Sequence, residues 1–423
     1  MNKKLKSIVC VAVTAISLVA MVGCGSKSSS ETAATSAKSS DNEIVLWTPL
    51  AGPDGDTMTA MIDDYNKTNP KYKVKHVPIQ ENDLYSKLPS VVSSGKEVPD
   101  LTIVHAERIP LFVKNDMLVP YDDAIAKDGN NIKEENYLKE GWRVGQVNDK
   151  RYGIPLDVHT YITYYNPDLL AKYGPHVLDD NVITMDEVKE VGEAAKKDGI
   201  AAIGVDWMRV MTLAWIGQLG GDITSDGTKP TVDTPQAEKA LKTMKDFVDQ
   251  KIATQDGDDP QQLFKTNKLV FWPEGIWMRN GFKDSDVNWK MTNFITFDKS
   301  KLLNWSSSHN FVMFKNPARD EAKQQGVIDF LKWMGNNSIK WATEAGQNPA
   351  SMAVQNSPEF AKEPQAFLAK NPDALHVFNY QYYGYVAEAL DKIVLDTVFG
   401  KMEIKDGLTQ AQKEVEDRIA NGK

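Results

Sequence analysis

Ten tryptophans exceed what a soluble chain of 423 residues needs for packing, and Trp47, Trp207, Trp272, Trp277 and Trp305 fall at expected strand ends or in loops. An indole in such a place offers a flat face on which a ring of C–H groups can stack. Carboxylates and a guanidinium occupy comparable positions. Glu81, with Asn82 and Asp83, follows the second expected strand, Glu107-Arg108 follows the third, and Asp206 stands beside Trp207. These groups hydrogen-bond hydroxyls, so the two kinds together suit a polyhydroxylated molecule with apolar faces. Each also has a plainer use. The tryptophans can fill cores, Glu107 and Arg108 can pair with each other, and Glu81, Asn82, Asp83 or Asp206 can cap a helix or turn. Trp333 and Trp341, inside helical patterns, are assigned to the core.

Carboxylates beside tryptophans also describe a secreted glycoside hydrolase, which is the main competing reading. The chain has no Gly-x-Ser-x-Gly elbow, His-Glu-x-x-His, P-loop or Gly-x-Gly-x-x-Gly motif to support catalysis. Its six histidines are scattered without a His or Cys cluster, which argues against transition-metal capture, and no Gly-rich loop opens a helix as a phosphate site. The expectation is therefore a non-enzyme with neither metal nor cofactor.

Only two cysteines exist, Cys10 and Cys24. The apolar run from Ile8 to Val22 follows a basic start and is shorter than the roughly twenty residues that cross a bilayer, so it suits a removable signal peptide, residues 1–23. Met21-Val22-Gly23-Cys24 resembles a bacterial lipobox, which implies lipidation of Cys24 and tethering outside the membrane. The Ser-, Ala- and Thr-rich stretch 24–42 lacks large apolar residues and reads as a flexible tether. Losing Lys3, Lys4 and Lys6 takes the net charge from −9 to −12, which excludes a nucleic-acid partner.

The elements that must hold these residues alternate. Ile44-Val-Leu-Trp47 is a strand, Met58, Met61, Ile62 and Tyr65 form a helical stripe capped by Asp56 or Thr57, and Tyr72 to Val77 is a second strand. A helix around Leu84 to Val92 and the strand Asp100 to Val104 follow, and the alternation resumes with Tyr161 to Tyr165, Met185 to Lys197 and Ala202 to Val205. Later amphipathic helices run around Ala237 to Val248, Val327 to Met334, Val386 to Thr397 and Leu408 to Ile419. The pattern predicts α/β architecture with doubly wound, mainly parallel sheets, whose ligands gather beyond the carboxyl ends of the strands. The length is too great for one core and predicts two lobes, which 41% hydrophobic content can fill.

Several fragments, in order, carry a resemblance: Ile44-Val-Leu-Trp47; Asp64-Tyr-Asn-Lys-Thr-Asn-Pro70; Ser94-Gly-Lys-Glu-Val-Pro-Asp100; Tyr152-Gly-Ile-Pro155 before Tyr164-Tyr-Asn-Pro-Asp-Leu169; Leu263-Phe-Lys-Thr-Asn-Lys268 before Glu274-Gly-Ile-Trp277; and Glu344-Ala-Gly346. Over nearly all of residues 43–423 the chain resembles the extracellular carbohydrate-binding proteins of ABC transporters, the family that includes maltose-binding protein. The resemblance implies a two-lobed periplasmic-binding-protein-like fold that closes by a hinge on an oligosaccharide and delivers it to membrane permease subunits. It implies lobe 1 from 43–157 plus 310–350 and lobe 2 from 158–309 plus 351–423, with crossings near Asp157 to Tyr161 and near Ser308 to Phe311. A lipid-tethered monomer on the outer face of the cytoplasmic membrane of a Gram-positive bacterium is the corresponding localisation.

Site residues also follow from the resemblance. Trp277 stands at the tryptophan of the family's Asn-Gly-Pro-Trp motif and is the strongest single candidate, while Glu274 replaces the motif's Asn, so its hydrogen bonding must differ. Glu107-Arg108 occupies the place of an acidic residue and Arg that hold sugar hydroxyls. Asp157 and His159 lie on the hinge strand, His159 where the family carries a Glu, and His309 lies at the second crossing. Tyr382 and Tyr383 stand where another stacking aromatic is found, and the sequence does not decide which of them faces inward.

Overall fold

A computed structural model describes residues 42–282 and 285–422. The expected signal peptide, Cys24 and nearly all of the expected tether lie outside the described residues. One six-stranded sheet has the order β2 (Lys73–Pro78), β1 (Glu43–Thr48), β3 (Leu101–His105), β13 (His309–Phe314), β4 (Leu118–Val119), with β7 (Gly153–Pro155) also on β13. The other has the order β14 (Leu375–Val377), β12 (Asn304–Ser307), β8 (His159–Tyr165), β10 (Leu269–Gly275), β9 (Ala201–Ile203), with β11 (Lys290–Thr292) also on β8. A short ladder joins β5 (Gln146–Val147) to β6 (Lys150–Arg151).

The sheets are mixed, where the alternation of strands and helices predicted mainly parallel ones. Strands linked through helices do run parallel, as β1 does with β2 and β3, and β10 with β9. β8 and β13 instead enter directly from the other sheet, without a helical crossover to turn them, and lie antiparallel to their neighbours. The chain crosses at Leu156 to Val158, between β7 and β8, and returns at Ser308, between β12 and β13. Asn348 to Ala350 runs beside the first crossing, with the Val158 amide donating to the Asn348 carbonyl and the Ala350 amide to the Leu156 carbonyl, both at 2.9 Å. Two crossings and this third strand-like segment therefore meet at one place.

The expected helices form, with instructive boundaries. The first spans Pro53–Lys67 and starts before the predicted caps Asp56 and Thr57. Pro53 at its first turn has its φ preset and needs no N–H partner, and Asp54 and Asp56 complement the positive helix end. The helix Met185–Ala195 opens with a reciprocal capping box between Thr184 and Glu187. An unpredicted helix, Met208–Gln218, buries almost its whole circumference, including Trp215, whose Nε1 donates to the Ile295 carbonyl at 3.1 Å. A helix apolar all round has no amphipathic stripe to betray it. It packs against Pro235–Asp249 and Tyr383–Val398, giving the second sheet its covering layer.

A candidate ligand site where the two sheets meet

Asp157 lies on the first crossing, fully buried. Its carboxylate accepts from His159 Nδ1 at 3.0 Å, His309 Nδ1 at 2.8 Å, the His309 amide at 3.0 Å and Trp341 Nε1 at 2.7 Å. An ionised carboxylate can only accept, so both imidazoles carry their proton on Nδ1. Burial by itself would raise the Asp157 pKa, but His309 and His159 and their hydrogen bonds outweigh it and hold the carboxyl far below its usual range. The same pairing outweighs burial at His309 and raises its pKa. Trp341, assigned to the core from its helical pattern, is buried and also ties its helix to this carboxylate.

A third histidine joins them. His105 ends β3 directly opposite His309 on β13, while His159 begins β8 opposite Ser307 on β12. The ring centroids are 4.4 Å apart for His159 and His309, 4.8 Å for His105 and His309, and 5.8 Å for His105 and His159. The Tyr85 hydroxyl lies 2.7 Å from His105 Nδ1 and accepts the His105 amide at 2.9 Å. Burial, then the charges of His309 and His159, push His105 well below the ordinary histidine pKa, so it is neutral. The histidines are scattered along the sequence without a cluster, and three strands from two sheets bring three of them together. His105 was not among the expected site residues, although its place at the carboxyl end of β3, two residues before Glu107, carried the signal.

Aromatic side chains adjoin the histidines. Trp277, partly exposed, meets His159 edge-on at 5.7 Å and Trp207 at 6.0 Å. It folds over Gly275, where a Cβ would come within 2.1 Å of the indole, so only glycine admits this ring position. Trp207 is 48% exposed and has φ 44°, the left-handed region that costs a non-glycine residue about 1–3 kcal/mol. Its amide donates to Asp206 Oδ1 at 2.8 Å. Glu274, beside Asp206 and almost fully buried, has its pKa pushed up by burial and by Asp206 to about 8, and is therefore mostly protonated at neutral pH. A neutral carboxyl can both donate and accept, as an amide does.

The remaining candidates separate by environment. Glu107 accepts from Ser307 Oγ at 2.6 Å, and Arg108 lies 4.5 Å above the Tyr85 ring, so the two side chains turn to different partners. Glu81 reaches to 3.8 Å from His105 Nδ1 and does not cap its helix. Tyr382 is part-exposed and takes a hydrogen bond and a cation–π contact from Lys114, whereas Tyr383 is buried and accepts from Trp305 Nε1 at 3.2 Å. Trp272 is a correction. Its ring is buried among Tyr164, Phe264 and Phe282 and serves packing, because it lies on an inward position of β10. Trp47, covered by Lys87 at 4.5 Å, and Trp305 are likewise buried in apolar clusters.

Comparison with known proteins agrees with this architecture. A family described as bacterial extracellular solute-binding protein matches residues 60–368. The chain belongs to that family. Its members are extracellular binding proteins. An arabinooligosaccharide-binding protein of Bacillus subtilis (strain 168) is 25% identical over 253 residues, 58% of this chain and 55% of the relative, so the match spans about half of that protein's length. A galactooligosaccharide-binding protein of the same organism is 23% identical over 386 residues, 86% of this chain and 85% of the relative. The solved cyclic alpha-maltosyl-1,6-maltose binding protein from Arthrobacter globiformis superposes with a TM-score of 0.75 at 20% identity, covering 90% of this chain and 99% of that one. The two-lobed α/β fold of solute-binding proteins is therefore the fold of this family member.

Proposed function

We propose that this solute-binding protein takes a carbohydrate, in the oligosaccharide size class, between its lobes and hands it unaltered to the permease subunits of an ABC importer. The observation that carries the reading is the Trp277–Trp207 pair, open on one side and set against the hydrogen-bonding groups of the junction. Pyranose rings have apolar faces for such indoles and hydroxyl rims for Glu107, Arg108, Asp206, Glu274 and the histidines. The oligosaccharide names of the two Bacillus subtilis relatives support the same class of ligand. Tyr382 serves as the outer aromatic, with Glu81 at the rim.

The lobes in this proposal are 43–157 plus 310–350 and 158–309 plus 351–423, hinged where Asp157 and Ser308 carry the chain across. Ligand contacts made from both sides favour the closed form over the open one. The protein works as a monomer held by a lipid on Cys24 at the outer face of a Gram-positive cytoplasmic membrane. Calorimetry with arabino- and galacto-oligosaccharides, together with an assay for new reducing ends, tests the reading. One-to-one saturation without bond cleavage is expected. Released reducing ends would identify a hydrolase instead.

A further inference from the structure

We propose that His105, His159 and His309 form a binding site for one divalent transition-metal ion of the zinc class, at the junction of the two sheets. One ligand nitrogen from each ring lies within 4.8 Å of the other two. Three nitrogens about 2.1 Å from a tetrahedral zinc ion sit roughly 3.4 Å from one another. Ring rotations that bring the three offered nitrogens to that spacing complete the set.

The hydrogen bonds select which nitrogens are offered. Asp157 takes both Nδ1–H groups, which directs the Nε2 atoms of His159 and His309 away from it. Tyr85 holds Nδ1 of His105 and leaves its Nε2 as well. With metal bound, His105 carries its proton on Nδ1 and the Tyr85 oxygen accepts it, as that oxygen already accepts the His105 amide. A carboxylate that receives the outer N–H of a ligating histidine is the usual support of a zinc site, and here one carboxylate serves two. Asp54 and Glu107 act electrostatically on His309 and Glu81 approaches His105, which favours a dication there against the opposing charge of Arg108. The His105 side chain is 17% exposed and gives the ion an entrance. Binding displaces any proton on the imidazoles into solvent, because only the neutral ring has a lone pair for the metal. The ion would tie β3 and β13 of one sheet to the first residue of β8 in the other. The inference does not rest on the carbohydrate reading, although both use these histidines, and metal titration without saccharide tests it alone.

The test uses untagged full-length protein stripped with a chelator. Cobalt(II) titration should develop visible absorption bands that saturate at one ion per chain, and zinc should displace it. His105→Gln, the least buried of the three and checked for folding by circular dichroism, should lose the bands. Asp157→Asn should weaken zinc binding by roughly 10–100-fold. Joint replacement of His76, His176 and His376 should change nothing. A wild-type chain without saturable binding overturns the proposal. So does a folded His105→Gln chain that binds zinc as tightly as wild type, or loss of binding on replacing the other three histidines.

Discussion

Replacing Glu274 by Gln removes one proton-binding group while keeping its shape and the acceptor that takes the Gly275 amide at 2.7 Å. Burial and the nearby Asp206 raise this carboxyl from 4.5 to about 8. A carboxyl whose folded pKa lies above its unfolded one keeps its proton in the folded chain while the unfolded chain releases it. Its contribution is therefore neutral below about 4.5, grows steadily more destabilising as pH rises to about 8, and is constant above that. At about 1.4 kcal/mol per pH unit the full cost is about 5 kcal/mol, and about 3 kcal/mol is already present at pH 7. Glu274→Gln should thus match the wild type near pH 4.5, exceed its unfolding free energy by about 3 kcal/mol at pH 7 and gain further at pH 9. Urea unfolding of both proteins at these pH values measures the difference. Parallel pH profiles for the two proteins would refute the argument that Glu274 is held neutral.

Four further substitutions probe the junction, its aromatic wall and the core beside it. Gly275→Ala places a methyl group 2.1 Å from the Trp277 indole, so the ring must swing out, and saccharide affinity measured by calorimetry should fall about tenfold or more. Asp157→Ala leaves His159, His309 and Trp341 without their common acceptor and should cost about 3–5 kcal/mol in chemical unfolding at neutral pH. Trp207→Ala and Trp272→Ala should behave oppositely: the first loses ligand affinity with unfolding free energy lowered by less than about 1 kcal/mol, the second loses about 3–5 kcal/mol of stability from the core. Equal stability losses for the two would contradict their assigned places.

Much of the scaffold was legible because local periodicity survives folding. The amphipathic stripes of Pro53–Lys67, Pro235–Asp249 and Tyr383–Val398, and the strands β1 and β3, follow directly from spacing. Trp277 was legible through its motif, but the meaning of Glu274 in that motif needed the burial that keeps it neutral. Strand direction was not legible, since a strand that enters from another sheet has the same sequence pattern as one returned by a helix. Nor could Trp47, Trp272 and Trp305 be told from Trp207 by residue type, and only tertiary packing buries three and leaves the fourth exposed. His105, His159 and His309 are separated by more than fifty residues at each step, so their assembly depends wholly on strand order.

The most direct measurement is the structure of the protein with the saccharide that raises its melting temperature most in an oligosaccharide panel. A sugar ring is expected against Trp277, within reach of Trp207, with contacts from both sheets and every glycosidic bond intact. A saccharide seated elsewhere, or on one lobe alone with Trp277 untouched, would contradict it.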